Sequence, residues 1–164
     1  MRNVRIRHAA EADLPALAEM KAAYMRTVYD GFCAADHLSR LGPETFTKEL
    51  AGWLACSRHH LDLLEADGAI ESYVVFQQTD SGVGEIVEAR TTKPDEAMDH
   101  RELLDWTLTE MRRLGCTAAE IWLLRSNYRK RFLCESYGFR DTGARKQEEI
   151  LGDSVQLVQY RYTL

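Results

Sequence analysis

The sequence predicts an α+β (mixed α/β) fold, in which a central, mostly antiparallel sheet is flanked by helices. Three observations carry this prediction. Apolar residues recur at helical spacing in four separate stretches. Residues 61–94 hold three strand-like runs joined by Asp67-Gly68 and Asp80-Ser81-Gly82. A further strand-like run, "AAEIWLLRS", is separated from the third by a helical stretch, which calls for a parallel crossover and makes the sheet mixed. At 164 residues the chain fits one domain, 1–164, and is long enough to bury a core without disulfides or metals.

Each element has a local reason. "VRIRHA" alternates Val4, Ile6 and His8 with Arg5 and Arg7, the period-two pattern of a half-buried strand. In "EADLPALAEMKAAYM" the spacing becomes helical; Pro15 is tolerated in a first turn, and Leu14, Leu17, Ala18, Lys21 and Met25 form a mixed inner stripe. "GPETFTKELAGWLACS" starts at Gly42-Pro43 and places Phe46, Leu50, Trp53 and Leu54 together. Asp-Gly between apolar runs supplies the positive φ of a tight hairpin, so residues 61–94 read as a three-stranded meander. "RELLDWTLTEMRRLG" is an amphipathic helix stopped by Gly115, and "NYRKRFLCESYGF" a shorter one stopped by Gly138. "ARKQEEILGDSVQLVQYRYTL" closes the chain as a hairpin around Gly152-Asp153.

The net charge of -5 argues against broad electrostatic capture of nucleic acid. Cys33, Cys56, Cys116 and Cys134 contain no CxxC pair, so reduced thiols are expected rather than zinc or a disulfide framework. No apolar stretch approaches the roughly 20 residues of a membrane helix, and residues 1–20 lack the continuous apolar segment of a signal peptide. These readings predict a cytoplasmic protein with no nucleic-acid or membrane partner. His59-His60 have no carboxylate or cysteine at a recognised ligand spacing, so no metal is expected.

The order strand, two helices, meander, helix, strand, helix, hairpin resembles the GNAT superfamily of N-acetyltransferases over nearly the whole chain. "SNYRKRFLCESYGF" resembles that family's Asn-x-x-Ala … Tyr-x-x-x-Gly-Phe segment through Asn127, Gly138 and Phe139. "EIVEARTTKP" resembles its central strand ending in Val-x-Pro, with Thr92 for the valine and Pro94 for the proline, and "RELLDW" resembles the start of its cofactor helix. The resemblance implies acetyl-CoA as co-substrate, held where the sheet splays between the fourth and fifth strands. It also implies a pyrophosphate loop of pattern Arg/Gln-x-x-Gly-x-Gly/Ala. Here those positions fall on Asp95, Met98 and His100, and every one differs.

The difference has an electrostatic consequence. A carboxylate about 6 Å from a phosphate at an effective dielectric of about 20 opposes it by roughly 2–3 kcal/mol, so Asp95, Glu96 and Asp99 work against the anion. Cations around the cleft offer compensation: Arg101 opens the third long helix, and Arg125, Arg129, Lys130 and Arg131 cluster at the fourth. The cofactor-binding candidates implied by the resemblance are therefore Arg90, Thr92, Met98, His100, Arg101, Asn127, Lys130 and Arg131.

Acetyl transfer to an amine needs a base for the ammonium proton and an acid for the departing thiolate. Glu85 and Glu88 lie on the strand that resembles the base-bearing one, three residues apart and so on opposite faces unless a bulge intervenes. The family's usual acid, a tyrosine seven residues after the motif asparagine, is replaced by Cys134, which leaves Cys134 and Tyr137 as candidates. Tyr24, Tyr29, Phe32 and Trp53 either line an acceptor pocket or cover the core. The implied activity is acyl-CoA-dependent transfer to a small-molecule or peptide amine. The rival is a non-catalytic binding module that has lost coenzyme A, which would explain both motif failures at once. Exposed strands near the end of the sequence make a homodimer possible.

Overall fold

The structure, a computed structural model, describes residues 1–93 and 101–164. Among these residues the order is β1 (Val4–His8), α1 (Leu14–Val28), α2 (Ala35–Ser39), α3 (Pro43–Ala55), β2 (His59–Ala66), β3 (Ala69–Gln78), β4 (Val83–Thr91), α4 (Arg101–Arg113), β5 (Ala118–Leu124), α5 (Tyr128–Tyr137), β6 (Arg140–Ile150) and β7 (Asp153–Thr163). The seven strands form one sheet in the order β1-β2-β3-β4-β5-β7-β6. β4 and β5 run parallel and every other neighbouring pair is antiparallel.

Two hydrophobic clusters divide the interior between the sheet's faces. Strand alternation sorts β3: Tyr73 and Val75 join Leu17, Met25 and Leu50 of α1 and α3, while Val74 and Phe76 join Leu103, Leu108 and Met111 of α4 and Cys134 of α5. The inner stripe read in α1 is buried as a unit, Lys21 included. Trp106 of α4 donates its indole N–H to the fully buried Asp62 of β2 at 2.9 Å, which ties that helix to its face of the sheet.

The meander forms at the turns expected of it, with Asp67 and Gly68 at φ of 52° and 84°. In the final hairpin, Leu151 and Gly152 occupy the two positive-φ positions, one residue earlier than the Gly152-Asp153 step suggests. Helix α2 was not evident in the sequence, because its five residues are too few to show a period.

The decisive irregularity is in β4. Val75 pairs with Glu88 and Phe76 with Ile86, so Val87 is an extra residue, a β-bulge. This is the bulge on which the face assignment of Glu85 and Glu88 depended, and it brings the two to the same face. Glu85 bonds Gln77, whose strand neighbours on that face are Tyr73 and Val75, and Glu88 bonds Lys21 of α1; both carboxylates turn toward α1 and α3.

Gly84 of β4 allows α4 to approach closely: a Cβ built there would lie 2.5 Å from Met111 Sδ. Gly84→Ala is expected to destabilise the domain by about 1–3 kcal/mol through overpacking, read as a lower urea midpoint. The penalty should largely vanish in a Met111→Ala background, where the clashing atom is gone.

Candidate active site

The parallel ladder between β4 and β5 covers only Val83 to Ile86 against Ala118 to Ile121. Beyond that point β4 continues to Thr91 with no β5 partner, and β5 continues to Leu124 paired only with β7. The strands diverge into a cleft of about 430 Å³. Ile86, Ile121, Leu103 and Leu133 make much of it apolar; Tyr24 and Arg90 wall it toward α1, and Asn127 and Lys130 bound it at the start of α5. The open edge of β4 offers backbone groups to a ligand chain laid along it. The Ser72 hydroxyl, also on the cleft wall, is buried with no hydrogen-bond partner among the described residues, as is Arg90 Nε.

Beside the cleft is a buried charge cluster. Glu88 accepts hydrogen bonds from Lys21 Nζ at 2.7 Å and from the Tyr73 hydroxyl, and Arg90 lies 3.5 Å away. Lys21 also donates to Glu49, and its ammonium sits over the rings of Phe46 and Trp53 at 4.7 and 5.0 Å. Burial alone would raise the Glu88 pKa. The charges of Arg90 and Lys21 and the hydrogen bonds from Lys21 and Tyr73 outweigh that and hold it below the ordinary carboxylate range. Glu88 is thus a fixed anion and a weak proton acceptor. Glu85 accepts one hydrogen bond, from Gln77 at 3.1 Å, and has no ion-pair partner among the described residues.

Tyr24 escaped the sequence reading as a candidate for proton transfer. Its ring lies under Arg90 at 4.8 Å and Lys130 at 5.8 Å. Burial pushes its phenol up, but the charges of Lys130 and Arg90 more than reverse this, leaving its pKa below the ordinary tyrosine value. Helical spacing marks Tyr24 as inward-facing, whereas its cationic neighbours come from β4 and α5, which no local pattern connects to it.

The cleft brings together some of the candidate residues. Arg90, Asn127, Lys130 and Cys134 line it. Asn127 caps α5 by accepting from the Lys130 N–H at 3.2 Å, and Lys130 Nζ donates to Ala89 O at 3.2 Å. Cys134 is buried, which pushes its thiol up to about 11.

Four candidates are placed elsewhere. Tyr137 donates to Asp105 and packs on Phe139 and Tyr162, away from the cleft wall, and burial followed by that hydrogen bond pushes its pKa up to about 12. Arg101 lies over the Tyr137 ring at 5.6 Å. Arg131 is held by the Tyr160 hydroxyl at 3.1 Å and Arg125 O at 2.7 Å, on the side of α5 that faces β7. Thr92 commits its backbone N–H and its hydroxyl to Glu71 O of β3. Met98 and His100 lie outside the described residues.

Known structures share this architecture from end to end. The PaiA N-acetyltransferase from Thermoplasma acidophilum, solved in complex with coenzyme A, superposes with a TM-score of 0.73 at 16% identity, covering 98% of this chain and 99% of that one. The GNAT N-acetyltransferase fold is the fold of this chain. A ribosomal-protein-alanine N-acetyltransferase from Brucella melitensis matches with a TM-score of 0.73 at 19% identity over 98% and 99% of the two chains. The yncA protein from Salmonella typhimurium, solved with its cofactor acetyl-CoA, matches with a TM-score of 0.65 at 22% identity over 98% and 93%. No protein-family model matches the chain, and no curated protein matches it. Among the described residues no helix of this GNAT fold is long and apolar enough to cross a membrane, and no group of three or more His, Cys, Asp or Glu could hold a metal ion.

Removing one member of a buried ion cluster strands the others, so Glu88→Ala is expected to cost about 3–5 kcal/mol in stability. Because the folded-state pKa of Glu88 is depressed, its contribution is present above the unfolded carboxylate value of 4.5 and is lost as pH falls through the lower folded value. Urea titrations between about pH 7 and 3 should show the wild type losing an increment that a Glu88→Gln variant no longer has to lose.

Proposed function

We propose that this chain binds acetyl-CoA in the cleft between β4 and β5 and transfers the acetyl group to a small-molecule or peptide amine. The observation that carries the proposal is the early end of the β4–β5 ladder, which opens an apolar slot beside an unpaired strand edge. The fit is supported by unused polar groups: among the described residues the Ser72 hydroxyl and Arg90 Nε are buried without partners on the cleft wall. Lys130, although it donates to Ala89 O, has no carboxylate partner among them. Arg90, Asn127 and Lys130 would hold the cofactor or the acceptor beside it, and acetyl-CoA would supply an activated acyl thioester.

The protein's own groups divide the proton work. Glu88 contributes fixed negative charge near an incoming ammonium but is already committed to two donors, Lys21 and Tyr73, and to the field of a second cation, Arg90. Glu85, on the same face and with one neutral partner, is the carboxylate left to take a proton, through water because it stands back from the cleft wall. For the acid, the balance favours Tyr24 over Cys134. A thiol raised to about 11 is a poorer donor than an unperturbed thiol, whereas the Tyr24 phenol has been made a better one.

One observation favours the non-catalytic alternative. Lys130 Nζ and Arg90 Nη1 both donate to Ala89 O, so part of the exposed β4 edge is already occupied. A ligand amide that used this carbonyl would have to displace them.

Calorimetric titration of acetyl-CoA at low salt, with dephospho-coenzyme A as control, separates the readings. Saturable heat that weakens without the 3′-phosphate supports the enzyme, and absence of heat at millimolar ligand supports the binding module. For an active enzyme, Tyr24→Phe should lower kcat by about 10²-fold or more with a small change in KM. Cys134→Ala should leave kcat within a few-fold, a pair of outcomes checked by thiol release in steady state.

A further inference from the structure

Among the described residues, strand β6 is the last strand of the sheet and pairs only with β7. Residues 145–149, Arg-Lys-Gln-Glu-Glu, are exposed except at the partly covered Ala144 and Ile150 that flank them. The turn determines which backbone groups of this segment are unused. Ile150 and Asp153 flank a two-residue loop and therefore form a narrow hydrogen-bonded pair. Hydrogen-bonded pairs alternate along an antiparallel ladder, so Glu148 and Lys146 also bond inward, opposite Val155 and Leu157. Glu149, Gln147 and Arg145 consequently turn their N–H and C=O groups to the open edge.

The side chains follow a mirrored order about Gln147: two cations before it and two anions after it. Their ion-pair partners among the described residues are on the same strand, and Lys146 also lies over the Trp122 ring of β5 at 4.5 Å. Arg145 pairs with Asp141 at 2.8 Å, and Lys146 reaches Glu148 at 3.6 Å with both side chains roughly half exposed. On the neighbouring helix, Tyr128 and Phe132 are 73% and 70% exposed, and Tyr128 shares a groove with Arg145 and Gln147.

We propose that β6 is a self-association edge whose occupant is β6 of a second copy of this chain, paired antiparallel about a two-fold axis at Gln147. In that register the outward-facing backbone groups of residues 145, 147 and 149 meet their counterparts in hydrogen-bonded pairs. Lys146 lies opposite Glu148 of the second copy, and Arg145 lies opposite Glu149, so every cross-strand charge pair is attractive. Sliding by two residues, or pairing in parallel, brings like charges together, which makes the charged edge selective for one arrangement. A two-fold perpendicular to the sheet keeps both α5 helices on the same face, where Tyr128 and Phe132 approach the same residues of the other copy. The proposal does not depend on coenzyme A binding.

Sedimentation velocity of the full chain tests it. A short strand-edge contact is small, so the wild type is expected to pass from monomer to dimer between about 10 µM and 1 mM at low salt and to weaken as salt screens the pairs. Glu148→Lys with Glu149→Lys, and separately Arg145→Glu with Lys146→Glu, should each raise the dissociation constant by about tenfold or more. Mixing these two variants, or combining all four changes in one chain, should restore association because the charges again oppose one another. Circular dichroism would verify that each variant is folded. A wild type monomeric throughout the range, block reversals that leave association unchanged, or a mixture that fails to associate would each overturn the proposal.

Discussion

An ionised carboxylate cannot be buried without partners, and Glu88 collects its partners from three separate parts of the chain. Lys21 comes from α1, Tyr73 from β3 and Arg90 from β4, while Glu49 of α3 shares the Lys21 ammonium. Of these groups, neither Glu88 nor Lys21 could remain charged in that place alone at tolerable cost. The cluster therefore sets how α1 and α3 lie on the sheet beside the point where β4 leaves β5. It also determines the chemistry available there, since an anion so well stabilised has little affinity for a proton.

The Val87 bulge and the cluster belong together. By adding one residue, the bulge turns Glu88 toward α1 on the same side as Glu85 and leaves Ile86 facing α4. The strand thus presents a committed carboxylate and a lightly bonded one to the same face. Arg90, two residues on, then reaches Tyr24, where against the upward push of burial it joins Lys130 of α5 in lowering the pKa of a phenol on the cleft wall. A single irregularity in strand pairing organises the proposed base, the fixed anion and the proposed acid.

Much of the fold was legible in the sequence, because the relevant signals are local. Asp67-Gly68, Gly115 and Gly138 mark real chain reversals, and the apolar stripes of the long helices are the ones buried. The site was less legible for a definite reason. Lys21 and Glu88 stand 67 positions apart, and nothing near either residue announces the other. Tyr24 reads as an ordinary inward-facing aromatic until β4 and α5 bring cations to it. Conversely, Arg131 and Tyr137 sit in a motif-like segment, but helix α5 turns them toward β7 and α4.

The cleft also divides the sheet mechanically. Strands β1 to β4 form one slab and β5, β7 and β6 another, joined along the sheet by only the four residue pairs from Val83–Ala118 to Ile86–Ile121. That short seam is the natural axis for flexing between the slabs. The cleft lies along the unjoined continuation of the seam, so a small rotation about the paired end changes its width while the ladders within each slab stay intact. Such a change in width would leave every strand of the sheet paired as it is.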